Sequence, residues 1–123
     1  MSGYVTIGTN DLEAALKFYD ALFSSVGVNR LWKHEQVTAW GRSKAEPAVC
    51  IASPFDGEPA SVGNGAMIAL RMTDRKAVDR LHAKSFQLGG LNEGRPGPRG
   101  VHGLYGGCFR DLNGNKLNAY VPA

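Results

Sequence analysis

The sequence has few cysteines, no long hydrophobic run and no concentrated stretch of basic residues. Its two cysteines, Cys50 and Cys108, are too few for a disulfide framework, and neither belongs to a CxxC pair of the kind that holds structural zinc. No apolar segment approaches the roughly 20 residues that a membrane-spanning helix needs. The N-terminal residues also lack the pattern of a secretory signal. We therefore expect a cytoplasmic protein with no membrane partner.

Composition and charge favour one ordinary globular domain. Of the 123 residues, 43% are hydrophobic and 20% are charged, which is enough apolar material for a core. The 14 basic and 11 acidic residues give a net charge of +3, and the basic residues are scattered along the chain. Because phosphate binding needs a concentrated patch of Lys and Arg, we expect no nucleic-acid partner.

Two amphipathic helices are predicted, each after a short strand. The first covers about residues 11–25, where apolar residues recur at helical spacing, and Asn10 is its expected N-cap. The second covers about residues 74–88 and is expected to begin at Thr73 or Asp74. Glycines follow both segments and are expected to end the two helices.

Short apolar runs separated by turn residues predict the strands. In chain order they are 4–8, 30–35, 37–41, 48–52, 66–71, a weaker piece near 91–92, 105–110 and 116–121. Strand, helix and three strands therefore occur twice, in internal repeats at about 1–54 and 64–123. The starts of the two copies match at an offset of 63 residues and their ends at an offset of 68. Because a copy of about 60 residues buries little surface alone, we expect one domain with a shared core.

Three segments carry a resemblance to a known family. They are Tyr-Val-Thr-Ile-Gly-Thr-Asn-Asp-Leu-Glu at 4–13, Gly-Asn-Gly-Ala-Met-Ile-Ala-Leu at 63–70 and Phe-Arg-Asp-Leu-Asn-Gly-Asn-Lys-Leu at 109–117. Together with the repeat, they resemble the vicinal oxygen chelate superfamily of glyoxalases, bleomycin-resistance proteins and extradiol dioxygenases. The resemblance implies an α+β fold in which two tandem βαβββ modules form a curved mixed sheet with a concave cup. It also implies a homodimer.

Alternation along the strands tests which side chains would face such a cup. In each strand, the apolar residues at every second position are expected to pack under the helices. The residues between them are expected to face the cup. The expected cup residues are Tyr4, Thr6, Ala48, Cys50, Ala52, Met67, Ala69, Lys116, Asn118 and Tyr120.

The resemblance places the metal-ligand positions of catalytic relatives on Tyr4, Met67 and Asn118, with a fourth position near Cys50. Such relatives have two His and one or two carboxylates there. A neutral amide, a thioether and an un-ionised phenol are poor ligands for divalent transition metals. We therefore expect no metal and no other cofactor, and no catalytic residues can be assigned.

The sequence favours a protein that binds a small, partly apolar or aromatic molecule without a catalytic metal. Aromatic and flexible side chains at the expected cup suit an adaptable pocket wall. The candidate ligand-binding residues are Tyr4, Trp40, Cys50, Met67, Tyr105 and Asn118. One alternative is a glyoxalase-like lyase, isomerase or dioxygenase with a non-standard metal site or none. A second alternative is an inactive remnant that acts through protein association.

The histidines and two of the arginines have expected places as well. His82 is expected to be a structural residue within the second helix, and His34 is expected on a surface or dimer edge. Arg95, Arg99 and His102 fall in a Gly- and Pro-rich segment that is predicted as a loop at the cup mouth. The two arginines are candidates for an anionic ligand, and His102 is a candidate site residue.

Overall fold

A computed structural model describes residues 3–100 and 103–123 of the chain. The chain divides into two compact units, Met1–Val62 and Gly63–Ala123, which we call the first and second units. No helix in the described ranges has the length and apolar character needed to cross a bilayer. His102 lies outside the described residues.

The first unit contains strand β1, helix α1 and strands β2, β3 and β4. Their bounds are Tyr4–Gly8, Leu12–Ser24, Asn29–His34, Val37–Gly41 and Ala48–Ala52. The strands form a sheet in the order β1-β4-β3-β2. The β1–β4 pair is parallel and the other two pairs are antiparallel.

The second unit repeats this arrangement with strand β5, helix α2 and strands β6, β7 and β8. Their bounds are Ile68–Arg71, Arg75–Gln87, Leu91–Arg99, Leu104–Arg110 and Lys116–Val121. The sheet order is β5-β8-β7-β6, again with one parallel pair, β5–β8. Two βαβββ modules with mixed sheets confirm the predicted α+β fold class.

The strand pairing follows the two sequence offsets. Thr6 of β1 lies opposite Cys50 of β4. Ala69 and Asn118, which stand 63 and 68 residues later, lie opposite each other in the β5–β8 pair. The difference between the two offsets comes from the strands themselves, because β6 and β7 have 9 and 7 residues where β2 and β3 have 6 and 5, while the parallel pairing is the same.

Each helix begins at an aspartate N-cap. The carboxylate of Asp11 accepts a hydrogen bond from the Ala14 N–H at 3.1 Å, so the prediction that Asn10 caps α1 is wrong. In α2 the Asp74 carboxylate accepts from the Ala77 N–H at 2.8 Å, in agreement with one of the two predicted caps. An aspartate supplies both the acceptor that the free N–H groups require and a negative charge at the positive end of the helix.

Strand β6 corrects the expected loop around Arg95 and Arg99. The strand runs from Leu91 to Arg99 and contains two prolines, Pro96 and Pro98. Its register with β7 shifts twice along this length. Proline removes a hydrogen-bond donor, but β6 is an edge strand, where that donor is not needed by a second neighbour.

Helix α1 packs on one face of the first sheet around Trp40. The Trp40 ring lies 5.7 Å from the ring of Tyr19 and 6.1 Å from that of Phe23. Its indole N–H donates to the carboxylate of Asp20, on the same helix, at 3.0 Å. Ile51 of the neighbouring strand β4 is also buried in this layer. The core of the first unit thus lies between α1 and the sheet.

Helix α2 packs on the second sheet in the same way. Val78 and Leu81 of the helix and Phe109 and Leu117 of the sheet are fully buried. The His82 Nε2 lies 3.0 Å from the side-chain oxygen of Asn92 and 3.2 Å from a backbone carbonyl of β7. The structural role predicted for His82 is therefore confirmed.

Candidate functional site

The face of each sheet opposite its helix, called here the helix-free face, is where the pattern predicts a site. In the first sheet the pairing of β1, β4 and β3 sets Thr6, Cys50 and Ala39 side by side on this face. Further along the strands, Gly8, Ala52 and Val37 form the next row. The predicted faces of β1 and β4 are thus confirmed, and the middle of the helix-free face consists of small side chains.

An aromatic pair covers one end of this face. The rings of Tyr4 and Trp32 meet edge to face with centroids 5.9 Å apart. Trp32 reaches this face because the β2–β3 register shifts between Arg30 and Trp32, which leaves Trp32 opposite Ala39. Simple alternation from Arg30, which lies opposite Trp40, would instead place Trp32 on the helix side, because a β-bulge changes the phase of a strand.

Cys50 lies at the centre of the helix-free face and has no exposed surface. Burial raises the pKa of its thiol, and a side-chain hydrogen bond with Thr6 opposes this effect only in part. A thiol held protonated is a poor nucleophile and a poor metal ligand. Cys50 therefore contributes a small, buried side chain to the middle of this face, and it is not among the residues that line the cavity described next.

A cavity of about 550 Å³ occupies the other end of this face in the first unit. Six strand residues form its sheet side: Thr6, Ile7, Gly8, His34, Val37 and Ala52. The turn between β2 and β3 contributes Glu35 and Gln36, and the segment after β4 forms the remaining wall with Ser53, Pro54, Phe55, Asp56, Pro59, Ala60 and Ser61. The volume falls within the roughly 300–1,000 Å³ typical of small-molecule sites.

The wall segment 53–61 is held in place by Asn10, which lies between β1 and α1. The Asn10 side-chain amide donates to the Ala60 carbonyl at 3.1 Å, and its oxygen accepts from the Ala60 N–H at 2.6 Å. Gly8 permits the close approach, because a Cβ at Gly8 would lie 3.0 Å from the Cβ of Ala60. The residue that the sequence suggested as a helix cap thus positions one wall of the cavity.

Two predicted ligand-binding residues lie on the helix side of their sheets. Trp40 is 1% exposed and packs under α1, so it does not contribute to the helix-free face. The Tyr105 hydroxyl donates to the Asp79 carboxylate of α2 at 2.6 Å, and the Arg75 guanidinium lies 4.8 Å from the centre of the Tyr105 ring. The Asp79 hydrogen bond and burial raise the pKa of Tyr105. Trp40 and Tyr105 thus lie on the helix sides of their sheets, where Trp40 packs against α1 and Tyr105 is hydrogen-bonded to α2.

Met67 and Asn118 belong to the second unit. Met67 is exposed and immediately precedes β5. Asn118 lies on the helix-free face, opposite Ala69 and Cys108, and a Cβ at Gly106 would lie 3.0 Å from its side-chain oxygen. Neither residue lines the cavity of the first unit.

Arg95 and Arg99 were predicted to receive an anion at a loop. Both lie on β6, and the Arg99 guanidinium donates to the backbone carbonyl of Arg95. Neither lines the cavity in the first unit. His102, the third member of that predicted group, falls outside the described residues.

The described side chains do not suit a catalytic metal ion. Within residues 3–100 and 103–123, no three His, Cys, Asp or Glu residues come together as a possible ligand set. At the ligand positions implied by the resemblance, Tyr4 supplies a phenol and Cys50 a thiol whose pKa is raised. This donor chemistry fits a divalent transition metal poorly, and we assign no reaction step to one.

Sequence reasoning missed the residues that line the cavity beside Thr6. His34 is exposed, as predicted, and it also lines the cavity, since it lies two residues after Trp32 and therefore on the same face of β2. Phe55 is an isolated aromatic residue in a polar segment and is fully exposed. An unpaired aromatic between Pro54 and Asp56 was the available signal for a binding role of this segment.

Comparisons with known proteins give matches among solved structures. No protein-family model matches the chain, and no curated protein matches it. A crystal structure of a glyoxalase/bleomycin resistance protein from Albidiferax ferrireducens T118 is 34% identical, covers 98% of this chain and 97% of its own, and has a TM-score of 0.88.

More distant structures share the fold. A glyoxalase/bleomycin resistance protein/dioxygenase family enzyme from Burkholderia phytofirmans PsJN is 15% identical, covers 98% of this chain and 97% of its own, and has a TM-score of 0.74. A glyoxalase-related enzyme from Fulvimarina pelagi is 18% identical, covers 98% of this chain and 87% of its own, and has a TM-score of 0.75.

Proposed function

Because the chain belongs to the glyoxalase/bleomycin resistance protein family, we propose that it uses the family fold to bind a small, partly apolar molecule without metal chemistry. The binding site is the cavity of the first unit, between the sheet residues Thr6, Val37 and Ala52 and the wall segment 53–61. The observation that carries the proposal is this cavity itself, which combines a suitable volume with one wall held in place by Asn10.

The cavity lining supports a partly apolar ligand. Its apolar surface comes from Val37, Ala52, Pro54, Phe55 and Pro59. Its hydroxyl groups come from one threonine and two serines. Burial of apolar surface supplies most of the binding free energy in such sites, and a few polar groups orient the ligand. The aromatic pair Tyr4–Trp32 closes the neighbouring part of the face, so the ligand occupies one end of it.

A screen of small aromatic and aliphatic compounds by thermal shift and calorimetry tests this function. Thr6 is an exposed residue on the sheet side of the cavity, so a large side chain there would fill the cavity, and Thr6→Phe is expected to abolish binding of the best compounds. Ala69→Phe is the matched control, because Ala69 is exposed and holds the corresponding place in β5. Equal binding by wild type and Thr6→Phe would overturn the assignment of the site.

We further propose that the protein is a homodimer and acts in the cytoplasm. Strands β1 and β5 are edge strands of their sheets, and Tyr4, Val5 and Met67 expose apolar surface at or beside these edges. An exposed apolar strand edge favours pairing with another chain. The lyase, isomerase or dioxygenase alternative would be favoured by turnover of a bound compound, and the remnant alternative by failure of every compound to bind.

A further inference from the structure

We propose that the cavity selects ligands that carry a positive charge on an apolar or aromatic body, such as an aromatic amine or quaternary ammonium compound. This inference rests on the proposed function, since it names the chemical class of the ligand for the same cavity. Three features of the lining carry it: the sign of its charges, the exposed aromatic ring of Phe55 and the apolar wall around them.

The charged residues of the lining are acidic. Glu35 reaches the cavity from the β2–β3 turn, and Asp56 reaches it from the wall segment, so the carboxylates stand on two separate parts of the chain. Among the residues that the structure describes, the lining contains no Lys or Arg, and His34 is its one other titratable residue. The whole chain, by contrast, has a net charge of +3. A negatively charged lining in a basic protein attracts a cation and disfavours an anion.

The two carboxylates remain available to a ligand. One oxygen of Asp56 accepts a hydrogen bond from the Glu58 N–H at 2.9 Å, which fixes the carboxylate and leaves its second oxygen free for another donor. Neither Glu35 nor Asp56 takes part in an ion pair among the described residues. A bound ammonium group would therefore not have to displace an internal cation.

Phe55 adds an aromatic face to this acidic lining. Its ring is fully exposed, and it makes no ring contact within the described part of the chain. A cation placed over an aromatic ring is attracted by the negative face of the ring. Carboxylates, an aromatic face and apolar walls together are the chemistry that recognises an apolar cation rather than a neutral hydrocarbon.

Calorimetric titration with benzylamine, benzyl alcohol and benzoate tests the inference, because these probes share a ring and differ in charge. We expect benzylamine to bind about three- to tenfold more tightly than benzyl alcohol, and benzoate to bind most weakly. In the double variant Glu35→Gln, Asp56→Asn this preference should disappear, while binding of benzyl alcohol stays within about twofold. Both substitutions keep the shape of the side chain, and the amide oxygen introduced at position 56 can still accept from the Glu58 N–H.

The variant Glu46→Gln, Glu58→Gln is the matched control, since it removes the same net charge outside the cavity lining. Equal binding of all three probes, or tightest binding of benzoate, would overturn the cation selectivity and leave the proposed cavity intact. If the control variant loses the preference for benzylamine to the same extent, the preference comes from the overall charge of the protein. This result would also overturn the cation selectivity of the cavity. Failure of all three probes to bind would overturn both the selectivity and the proposed function.

Discussion

Tyr4 and Trp32 are in edge-to-face contact across a sheet whose two edge strands carry them. Their ring centroids are 5.9 Å apart, although strands β4 and β3 separate β1 from β2. Neighbouring strands are about 4.8 Å apart, so the backbones of the two edges are too distant for direct contact unless the side chains extend over the central strands. The small residues Ala39 and Cys50 on those strands leave room for this bridge.

Removal of the Tyr4 ring should therefore expose Cys50. In a Cys108→Ser background, Tyr4→Ala is expected to raise the rate of Cys50 modification by a thiol reagent about tenfold or more, since the thiol has no exposed surface in the intact protein. The rate can be followed spectroscopically with a chromogenic disulfide at constant pH. Val5→Ala, on the same strand but the opposite face, is the control. An unchanged rate in Tyr4→Ala would show that other groups cover the thiol.

The fold could be predicted from the sequence because its signals are local and occur twice. Alternation in β1 and β4 assigned the correct face to Thr6 and Cys50, and the offsets of 63 and 68 residues matched the pairing of the corresponding strands. Strand β6 was predicted only as a weaker piece near 91–92, because Pro96 and Pro98 in the rest of the strand are typical of loops. An edge strand tolerates them, and edge position depends on tertiary pairing that the local sequence does not encode.

The site was harder to predict because it depends on register and on a folded segment. In β3, apolar residues stand at both Ala39 and Trp40, so alternation does not decide which of them faces the helix. Pairing with β4 decides it, by placing Trp40 opposite Val49. The wall segment 53–61 lies outside the predicted helices and strands, and its hydrogen bonds to Asn10 hold it in place as part of the cavity.

Asn10→Ala should release the wall segment. Two hydrogen bonds to the Ala60 backbone are lost, and the segment should open locally about tenfold more often. Cleavage after Glu58 by a glutamate-specific protease, followed by mass spectrometry, measures this opening. Binding of any cavity ligand should weaken in the same variant. Asn64→Ala, at an exposed position beyond the segment, should cleave at the wild-type rate. Equal cleavage of both variants would contradict the role of Asn10.

Asp20 should make the stability of the first unit sensitive to acid. Burial raises its pKa, but hydrogen bonds from Arg30 and Trp40 and the charge of Arg30 outweigh burial, so the net pKa is lowered. A carboxyl with a lowered folded-state pKa stabilises the protein above its unfolded-state pKa, and this contribution is lost as the pH falls through the folded-state value. We therefore expect the Asp20 carboxylate to stabilise the folded protein at neutral pH and to lose this stabilising effect below about pH 4.

Urea unfolding of wild type and Asp20→Asn between pH 7 and pH 3 tests this dependence. The wild type should be the more stable protein at pH 7, and the difference should shrink as the pH falls below about 4. Glu13→Gln, on the same helix in an exposed ion pair with Lys17, should show little difference at any pH. A difference between wild type and Asp20→Asn that stays constant with pH would contradict the assignment.

The exposed edge of β1 should be where two chains associate. Val5 is 48% exposed on this edge strand, beside the exposed ring of Tyr4. Light scattering of the wild type at micromolar concentration should give about twice 13.2 kDa. Val5→Lys places a charge on the edge and should shift the protein toward a single chain, because charged residues oppose edge-to-edge pairing. Val62→Lys is the matched control, since Val62 is 44% exposed but lies outside the strands. A wild type that scatters as one chain would contradict the homodimer, and equal dissociation of both variants would place the contact away from β1.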